Sequence, residues 1–207
     1  MTLDRLRPLV DRTLAPFVAG FDRLGLSPDG VSVLAFLVAV AAGGCFALAS
    51  AAPAWYVAGA VLVGVNGTLD VVDGALARRQ GVEGDAGDLF DHVLDRYADV
   101  AVVAGLAAGT EAYALGFAAV TGVLLTSYLG TQVEAVGLDR EYGGLLGRAD
   151  RLVLVAVVTT LAATLDVAGV EATLLDYGPV GWLLAVLAAV GHLTALQRFR
   201  GARRDLT

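Results

Sequence analysis

Long apolar stretches alternate with short polar connections along most of the chain. The clearest spans residues 31–49, and about 18 apolar residues in a helix are enough to cross a hydrocarbon core of roughly 30 Å. Five more stretches repeat the pattern, at residues 54–72, 89–109, 112–133, 152–165 and 178–196. Of the six, the third and the fifth have short apolar parts and need polar turns to extend them. The pattern predicts an all-α polytopic membrane protein with six transmembrane helices between residues 31 and 197.

The two ends of the chain depart from this pattern. Near the N-terminus, apolar residues recur at helical spacing among arginines, at Leu3, Leu6, Leu9, Val10, Leu14 and Phe17. This spacing predicts an amphipathic juxtamembrane helix over residues 1–25 on the membrane surface, with a frayed polar leader as the alternative. We expect no cleaved signal peptide, because a signal peptide needs a continuous apolar stretch. Residues 198–207 are rich in charge and predict a cytoplasmic tail.

The composition is that of a membrane protein. Hydrophobic residues make up 57% of the 207 residues and charged residues only 17%, with a mean hydropathy of +0.72, which excludes an ordinary soluble domain. No internal repeat or proline-rich linker divides the chain, so we expect one domain over residues 1–207. Cys45 is the only cysteine, which excludes an internal disulfide.

The arginines predict the orientation in the membrane. All 14 basic residues are arginine; they lie in the N-terminal segment, the second and fourth connections and the C-terminus. The positive-inside rule therefore places both termini and residues 70–95 in the cytoplasm. A net charge of −7 without lysine is typical of proteins from a high-salt cytoplasm, where charge repulsion is screened, or from a GC-rich genome. We expect no nucleic acid among the partners.

Four aspartates lie where the second and third apolar stretches meet the cytoplasm. Asp70 and Asp73 are three residues apart near the end of one predicted helix, and Asp91 and Asp95 are four apart at the start of the next. These spacings place each pair on one helical face. The connection over residues 80–86 contains two glycines and predicts a short turn. Two antiparallel helices would thus bring four carboxylates together.

Such crowding of negative charge requires a compensating cation. Asp91 alone could be a helix-capping residue, but Asp70 and Asp73 lie towards the C-terminal end of their helix, where the macrodipole disfavours anions. Carboxylates without other ligand types suit hard divalent ions such as Mg²⁺ or Mn²⁺. A salt-bridge cluster with Arg78 and Arg79 is the alternative. A metal beside glycines and Arg78 is typical of phosphoryl transfer.

Eight positions of this segment resemble the full signature of the CDP-alcohol phosphotransferase (CDP-alcohol phosphatidyltransferase) family. The pattern reads Asp70-x2-Asp73-Gly74-x2-Ala77-Arg78-x8-Gly87-x3-Asp91-x3-Asp95. The six predicted spans and the surface helix also resemble the integral-membrane branch of this family. The resemblance implies Mg²⁺- or Mn²⁺-dependent attack of an acceptor hydroxyl on the lipid-side phosphorus of a CDP-linked lipid, with release of CMP. It also implies a homodimer in the cell membrane.

The resemblance implies a role for each signature residue. Asp70, Asp73 and Asp91 would hold one or two divalent ions, with two expected, and Asp95 would be a further ligand and the general base. The CDP pocket would be formed by Gly74, Ala77, Arg78 and Gly87. We assign no catalytic role to Asp99, which we interpret as a buttress one turn deeper, and we expect His92 to be a helix-surface residue.

The acceptor is predicted from a second region. Ser127-Tyr128, Glu134-Ala135-x-Gly137-Leu138 and Gly147-Arg148-Ala149-Asp150-Arg151-Leu152 resemble the inositol-phosphate region of phosphatidylinositol-phosphate and archaetidylinositol-phosphate synthases. Arg148 and Arg151 would bind the acceptor phosphate; anchoring at the membrane surface is the alternative. That branch usually has two basic residues where this chain has Gly130 and Gln132, so glycerol 3-phosphate and serine stay open as acceptors. A salt-adapted source would favour CDP-archaeol over CDP-diacylglycerol as the donor.

Two other functions, an ion-coupled transporter and a non-catalytic scaffold, share part of this pattern. An ion-coupled transporter would also place carboxylates in the membrane, but its interrupted helices tend to occur in both halves of an internal repeat, whereas these aspartates occupy one half. A non-catalytic scaffold would have no physical need for an uncompensated carboxylate cluster. The enzyme hypothesis is therefore favoured.

Overall fold

The chain is helical throughout the part that the structure describes. The structure, a computed structural model, describes residues 7–138 and 146–206; Leu3, Leu6 and Arg140, which entered the predictions above, lie outside these ranges. The described residues form α1 (Arg7–Arg23), α2 (Pro28–Ala47), α3 (Ala54–Gln80), α4 (Asp85–Gly109), α5 (Tyr113–Ala135), α6 (Arg148–Val167) and α7 (Pro179–Asp205). Their only β-type pairing is one isolated bridge between Leu174 and Tyr177. The all-α prediction is confirmed for these residues.

Local sequence signals explain the helix ends near the aspartate motif. Ser27 caps α2: its Oγ accepts a hydrogen bond from the Gly30 N–H at 3.2 Å, and Pro28 follows as the first helical residue. After α3, Gly81 adopts the left-handed conformation with φ of 65°, which favours glycine because it has no Cβ. α4 begins at Asp85, so the break predicted over residues 80–86 is confirmed.

The helices extend beyond the apolar stretches that predicted them. α3 continues past the apolar limit at residue 72 to Gln80, and α4 starts four residues before the predicted residue 89. α7 continues to Asp205, so most of the predicted tail is a continuation of the last helix. Hydropathy marks only the apolar part of a helix, whereas backbone hydrogen bonding continues into its polar turns.

Four helices of the described residues are long and apolar enough to cross a membrane: α2, α3, α5 and α7. α4 and α6 have sufficient length but contain too many charged residues, among them all four aspartates from Asp85 to Asp95 in α4 and both arginines of Arg148–Arg151 in α6. The chain is thus a helical membrane protein with several apolar spans. The charged residues that keep α4 and α6 from meeting this criterion for a membrane span include residues of the candidate site.

α2 holds α3 and α4 together through very close packing. A Cβ added at Gly105 of α4 would lie 2.1 Å from the backbone oxygen of Gly43 in α2, and one added at Gly109 would lie 2.0 Å from that of Phe46. These distances leave no room for a side chain. Phe46 is fully buried in the main apolar core, which also includes Leu106 and Leu184. α2 therefore fixes the position of α4 relative to α3.

α1 packs on the end of this assembly that carries the aspartate motif. Val18 is 6% exposed and belongs to a second apolar core that includes Val31 of α2 and Val72 and Leu76 of α3. Phe17, by contrast, is 62% exposed. α1 thus presents one apolar side to the protein and at least one large apolar side chain to its surroundings.

Candidate active site

Three of the four predicted aspartates converge between α3 and α4. Asp70, Asp91 and Asp95 each place one carboxylate oxygen within 4.8 Å of the others, and all three are partly buried. Asp91 and Asp95 share a face of α4 because they are four residues apart, and Asp70 reaches the same place from α3. We call these three residues the carboxylate cluster.

Asp73 lies outside the carboxylate cluster. Only 4% of the residue is exposed; its Oδ2 accepts a hydrogen bond of 2.8 Å from Ser32 Oγ, and its Oδ1 accepts one of 2.6 Å from the Gly74 N–H. Two donors to a buried carboxylate offset part of the cost of removing it from water. The structure therefore places Asp73 beside α2, one turn of α3 away from Asp70.

A cavity of about 520 Å³ opens next to both features. We call it the α2–α4 cavity, since its walls come from the start of α2, the end of α3, the connection that follows and the start of α4. The size is within the usual range for small-molecule sites, about 300–1,000 Å³. Its lining includes two of the aspartates and all four residues predicted for the CDP pocket: Asp73, Asp91, Gly74, Ala77, Arg78 and Gly87.

Two of the glycines that line the cavity, Gly74 and Gly87, are not required by the packing of the protein. A Cβ added at Gly74 would lie 3.5 Å from Arg78 Nη1, and one added at Gly87 would lie 3.8 Å from Asp29 Oδ1. Both are ordinary van der Waals distances, unlike the clash at Gly105. Glycine at these two positions therefore leaves space inside the cavity, as a bound ligand would need.

Arg148 neutralises much of the carboxylate cluster. Its Nη1 lies 2.5 Å from Asp70 Oδ1, and its Nη2 lies 2.7 Å from Asp95 Oδ1. Its Nε lies 3.8 Å from Asp99 Oδ1, and only 15% of the side chain is exposed. An arginine fork can join two carboxylates in this way because its donors diverge in one plane. α6, which carries Arg148, thereby supplies the counter-charge of the cluster.

Asp99 lies one helical turn beyond Asp95, where the sequence predicts a buttress of the site. Its side chain is 6% exposed and is paired with three arginines: Arg151 at 3.0 Å, Arg96 at 3.4 Å and Arg148 at 3.8 Å. Arg96 also donates to Ser127 Oγ on α5. The periodicity could have indicated Asp99, because it continues the four-residue spacing of Asp91 and Asp95.

Ser32 could not have been found from the sequence. It lies 41 residues before Asp73, in an apolar stretch where a serine is unremarkable. His92, predicted as a surface residue, is partly exposed and its Nδ1 lies 2.7 Å from the Asp88 carbonyl oxygen; it is not one of the three clustered ligand candidates.

The cluster has the chemistry of a magnesium or manganese site. Asp70, Asp91 and Asp95 offer only oxygen donors, which hard divalent ions prefer. Their separations are short enough for one ion to contact all three after small side-chain adjustments. A bound ion would lie directly beside the α2–α4 cavity, since Asp91 belongs to both. The arrangement suits a reaction on a negatively charged group held in the cavity.

Known proteins resemble this chain over most of its length. An archaetidylinositol phosphate synthase of Methanothermobacter thermautotrophicus is 32% identical over 197 residues, covering 95% of this chain and 91% of the relative. A phosphatidylinositol phosphate synthase of Mycolicibacterium smegmatis is 33% identical over 192 residues, covering 87% and 79%.

Solved structures show the same fold. The phosphatidylinositol phosphate synthase of Mycobacterium tuberculosis with bound CDP-DAG matches with a TM-score of 0.74 and 28% identity, over 92% of this chain and 94% of that one. A structure of that enzyme with manganese and citrate also has a TM-score of 0.74 and 28% identity, over 90% and 87%.

The family model described as CDP-alcohol phosphatidyltransferase matches residues 26–193. This range includes α3 and α4 with the whole aspartate motif. Together with relatives more than 30% identical over most of their length, the match shows that the chain belongs to the CDP-alcohol phosphatidyltransferase family.

Proposed function

We propose that this enzyme transfers a phosphatidyl or archaetidyl group from a CDP-linked lipid to the hydroxyl of a small polar alcohol, with Mg²⁺ or Mn²⁺ as the cofactor. One observation carries the proposal: the carboxylate cluster shares Asp91 with a cavity lined by Gly74, Ala77, Arg78 and Gly87. A metal-binding group and a space with an arginine for a nucleotide diphosphate thus lie side by side. The reaction belongs to phospholipid biosynthesis.

In the proposed site, some residues bind the CDP-linked donor and others bind the divalent ion. Arg78 binds the diphosphate of the donor, and the small residues around it leave room for the cytidine. The four aspartates Asp70, Asp73, Asp91 and Asp95 hold one or two divalent ions, which when bound neutralise the diphosphate oxygens. Because Asp73 and Asp91 line the cavity, they are the ligands nearest to the donor.

Asp95 is the general base of the proposed reaction. The acceptor oxygen forms a bond to the lipid-side phosphorus while the bond from that phosphorus to the bridging oxygen breaks. CMP leaves with the electron pair, and Asp95 accepts the proton of the acceptor hydroxyl. Asp95 suits this role because it lies at the cluster but outside the lining of the cavity, where an acceptor approaching from α6 can reach it.

Inositol phosphate is the proposed acceptor. The relatives quoted above are named as synthases of archaetidylinositol phosphate and phosphatidylinositol phosphate. Arg148 and Arg151 lie at the start of α6 beside the cluster, where either guanidinium could bind the acceptor phosphate. Glycerol 3-phosphate and serine are the alternatives, because Gly130 and Gln132 replace basic residues of that branch. CDP-archaeol is the proposed donor, with CDP-diacylglycerol as the alternative.

The proposed membrane arrangement has six spans. α4 and α6 join the four apolar helices as spans whose charged turns face the site between helices, where membrane proteins keep their charged residues. The arginine distribution supports cytoplasmic termini and a cytoplasmic active site. Residues 1–25 lie on the membrane surface, and Phe17 supports this because it is an exposed apolar side chain. Residues 1–207 form one domain, and two copies form a homodimer.

Release of CMP tests the proposal directly. Purified protein in detergent with Mg²⁺, a CDP-lipid and inositol phosphate should release CMP, and mass spectrometry of the lipid should show the inositol phosphate adduct. Addition of EDTA should stop the release, and Mn²⁺ should restore it. Parallel reactions with glycerol 3-phosphate and serine identify the acceptor. Absence of CMP with every acceptor and both donor lipids would contradict the proposal.

A further inference from the structure

Arg148 contacts the same carboxylates that a divalent ion would bind. Its two terminal nitrogens contact Asp70 Oδ1 at 2.5 Å and Asp95 Oδ1 at 2.7 Å. Both aspartates belong to the three residues whose oxygens lie within 4.8 Å of one another. The guanidinium is therefore bound to two of the three carboxylates that an ion would use.

Arg148 pairs with two carboxylates but leaves one of its own N–H donors without an acceptor. Arg148 Nε is buried without a hydrogen-bond partner among the described residues; the nearest carboxylate oxygen in its ion pairs is Asp99 Oδ1, at 3.8 Å. A buried donor without an acceptor is unfavourable. The two terminal nitrogens of Arg148 thus pair with the cluster, whereas its Nε has no hydrogen-bond acceptor among the described residues.

An ion and this guanidinium cannot make the same contacts. Mg²⁺ binds carboxylate oxygens at about 2.0–2.1 Å, so an ion on Asp70 and Asp95 would lie next to the positive charge of Arg148. Like charges at such a distance in a partly buried site repel strongly. Repulsion between the two cations therefore favours movement of the guanidinium away from these oxygens when an ion binds.

We propose that Arg148 is an internal counter-cation that holds Asp70 and Asp95 in the metal-free enzyme and is displaced from them when a divalent ion binds. The inference rests on the function proposed above and adds a competition between the protein's own cation and its cofactor. Displacement releases the two terminal nitrogens of Arg148 next to the acceptor side of the cluster. Metal loading would therefore precede binding of an anionic acceptor by this residue.

Asp99 provides a second position for the displaced arginine. It is 7% exposed, lies one helical turn beyond Asp95, and is already paired with Arg151 at 3.0 Å. Arg148 can therefore move towards Asp99 and keep a carboxylate partner. The competition consequently involves a shift within one network of ion pairs, with no need for α6 to leave the bundle.

Equilibrium binding of Mn²⁺ tests the competition without any substrate. Electron paramagnetic resonance of free Mn²⁺ would be measured for wild type, Arg148→Gln and Arg148→Lys, each purified in Mn²⁺ and then stripped with EDTA. We expect Arg148→Gln to bind Mn²⁺ about tenfold more tightly than wild type, a typical size for coupling between two sites. Arg148→Lys keeps the charge without the fork and should fall between them. Arg200→Gln, which changes an exposed arginine of α7, should bind as wild type does.

Thermal stability provides a second measurement. Removal of Arg148 leaves Asp70 and Asp95 without their counter-cation, so Arg148→Gln should have a lower Tm than wild type in EDTA and regain most of the difference in Mn²⁺. Equal or weaker Mn²⁺ binding by both Arg148 variants would overturn the inference. If wild type then still releases CMP, the proposed function stands and only the competition fails; if wild type binds no Mn²⁺, both fail.

Discussion

The α2–α4 cavity and the carboxylate cluster are neighbours that share Asp91 but are built on opposite principles. The cavity has an open volume of about 520 Å³. Two of its lining residues, Gly74 and Gly87, have no side chain, although a Cβ would fit at either position. In the cluster, charge is concentrated, with three carboxylates within 4.8 Å of one another and the fork of Arg148 in contact with two of them. The cavity can bind a ligand through its shape, whereas the cluster can bind a metal ion through its negative charge.

This difference predicts how each region responds to mutation. Changes in the cluster should alter the chemical step, because the groups there act on the reacting atoms. Changes in the cavity should alter donor binding first, because the groups there determine which volume fits. The following variants test that division, beginning with the largest expected effect.

Replacing Asp95 by Asn should nearly abolish turnover. The amide cannot accept the proton of the acceptor hydroxyl, and general-base catalysis contributes about 10²–10⁴ in rate. kcat measured as CMP release should fall by that factor, while CDP-lipid binding is partly retained. Asp85→Asn is the matched control, since Asp85 is an exposed aspartate on the first turn of the same helix. Wild-type turnover in Asp95→Asn would place the base elsewhere.

Replacing Gly74 by Ala should weaken donor binding without loss of stability. The added methyl group meets Arg78 Nη1 at 3.5 Å, and Ala is favoured over Gly in a helix by about 1 kcal/mol. We expect the KM for the CDP-lipid to rise about tenfold, equivalent to 1.4 kcal/mol, with kcat changed less. Gly64→Ala, in the same helix with open space around it, should change neither.

A packing glycine completes this test. At Gly105 the added methyl group would lie 2.1 Å from the Gly43 backbone oxygen, and overpacking typically costs about 1–3 kcal/mol. Gly105→Ala should therefore lower the Tm, whereas Gly74→Ala should not. A drop in Tm of equal size for both variants would show that Gly74 is also a packing residue.

Replacing Ser32 by Ala should have a smaller effect, again on the donor side. It removes the 2.8 Å hydrogen bond to the buried Asp73 carboxylate, and hydrogen bonds to charged groups contribute about 1.5–3 kcal/mol. Part of this is recovered if water or the Gly74 N–H satisfies Asp73. We expect a severalfold rise in the KM for the CDP-lipid, and Ser32→Thr, which keeps the hydroxyl, should restore it. An unchanged KM would mean that Asp73 does not need Ser32 for its orientation.

The smallest effect is expected outside both regions, where α1 meets the end of α3. Asp22 pairs with Arg79 at 2.8 Å and accepts a hydrogen bond from Gln80 at 3.1 Å. The hydrogen bond from Arg79, followed by that from Gln80, lowers the pKa of Asp22 below 3.8. Both Asp22 and Arg79 are solvent-exposed, and exposed pairs of this kind contribute little.

The lowered pKa determines the direction of the pH dependence. The ionised carboxylate stabilises the folded state above the pKa of the unfolded chain, and this contribution is lost as the pH falls through the lower pKa of the folded state. Asp22→Asn should therefore lower the Tm slightly at pH 7, and the two proteins should converge below pH 3.8 and in high salt. A difference in Tm that grows as the pH falls would contradict this assignment.

The sequence predicted the site well where the relevant geometry lies within one helix. The spacing of Asp91 and Asp95 is enough to place both on one face, and a glycine-containing break after α3 is enough to return the chain antiparallel. The prediction that Asp73 joins the other three depended in addition on the direction of each side chain. In the structure Asp73 accepts hydrogen bonds from Ser32 and Gly74 and lines the cavity with Asp91, so its part in metal binding stays a prediction.

The span count illustrates the same limit. Hydropathy identifies α2, α3, α5 and α7 but treats a charge that faces a polar site in the same way as one that faces lipid. The charged side chains of α4 and α6 pair with each other, Arg148 with Asp95 and Arg151 with Asp99. Composition alone cannot separate these two cases, because the distinction depends on which helix is the neighbour.

The amino-acid sequence by itself determined the helices, the shared face of Asp91 and Asp95 and the family signature, because each depends on spacing within a few turns of backbone. Only the tertiary structure decided that Ser32 reaches Asp73 across 41 residues and that Arg148 reaches Asp70 across 78. Those contacts arise from the packing of α2 and α6 against α3. Packing depends on the fit of whole helix surfaces, which local periodicity does not contain.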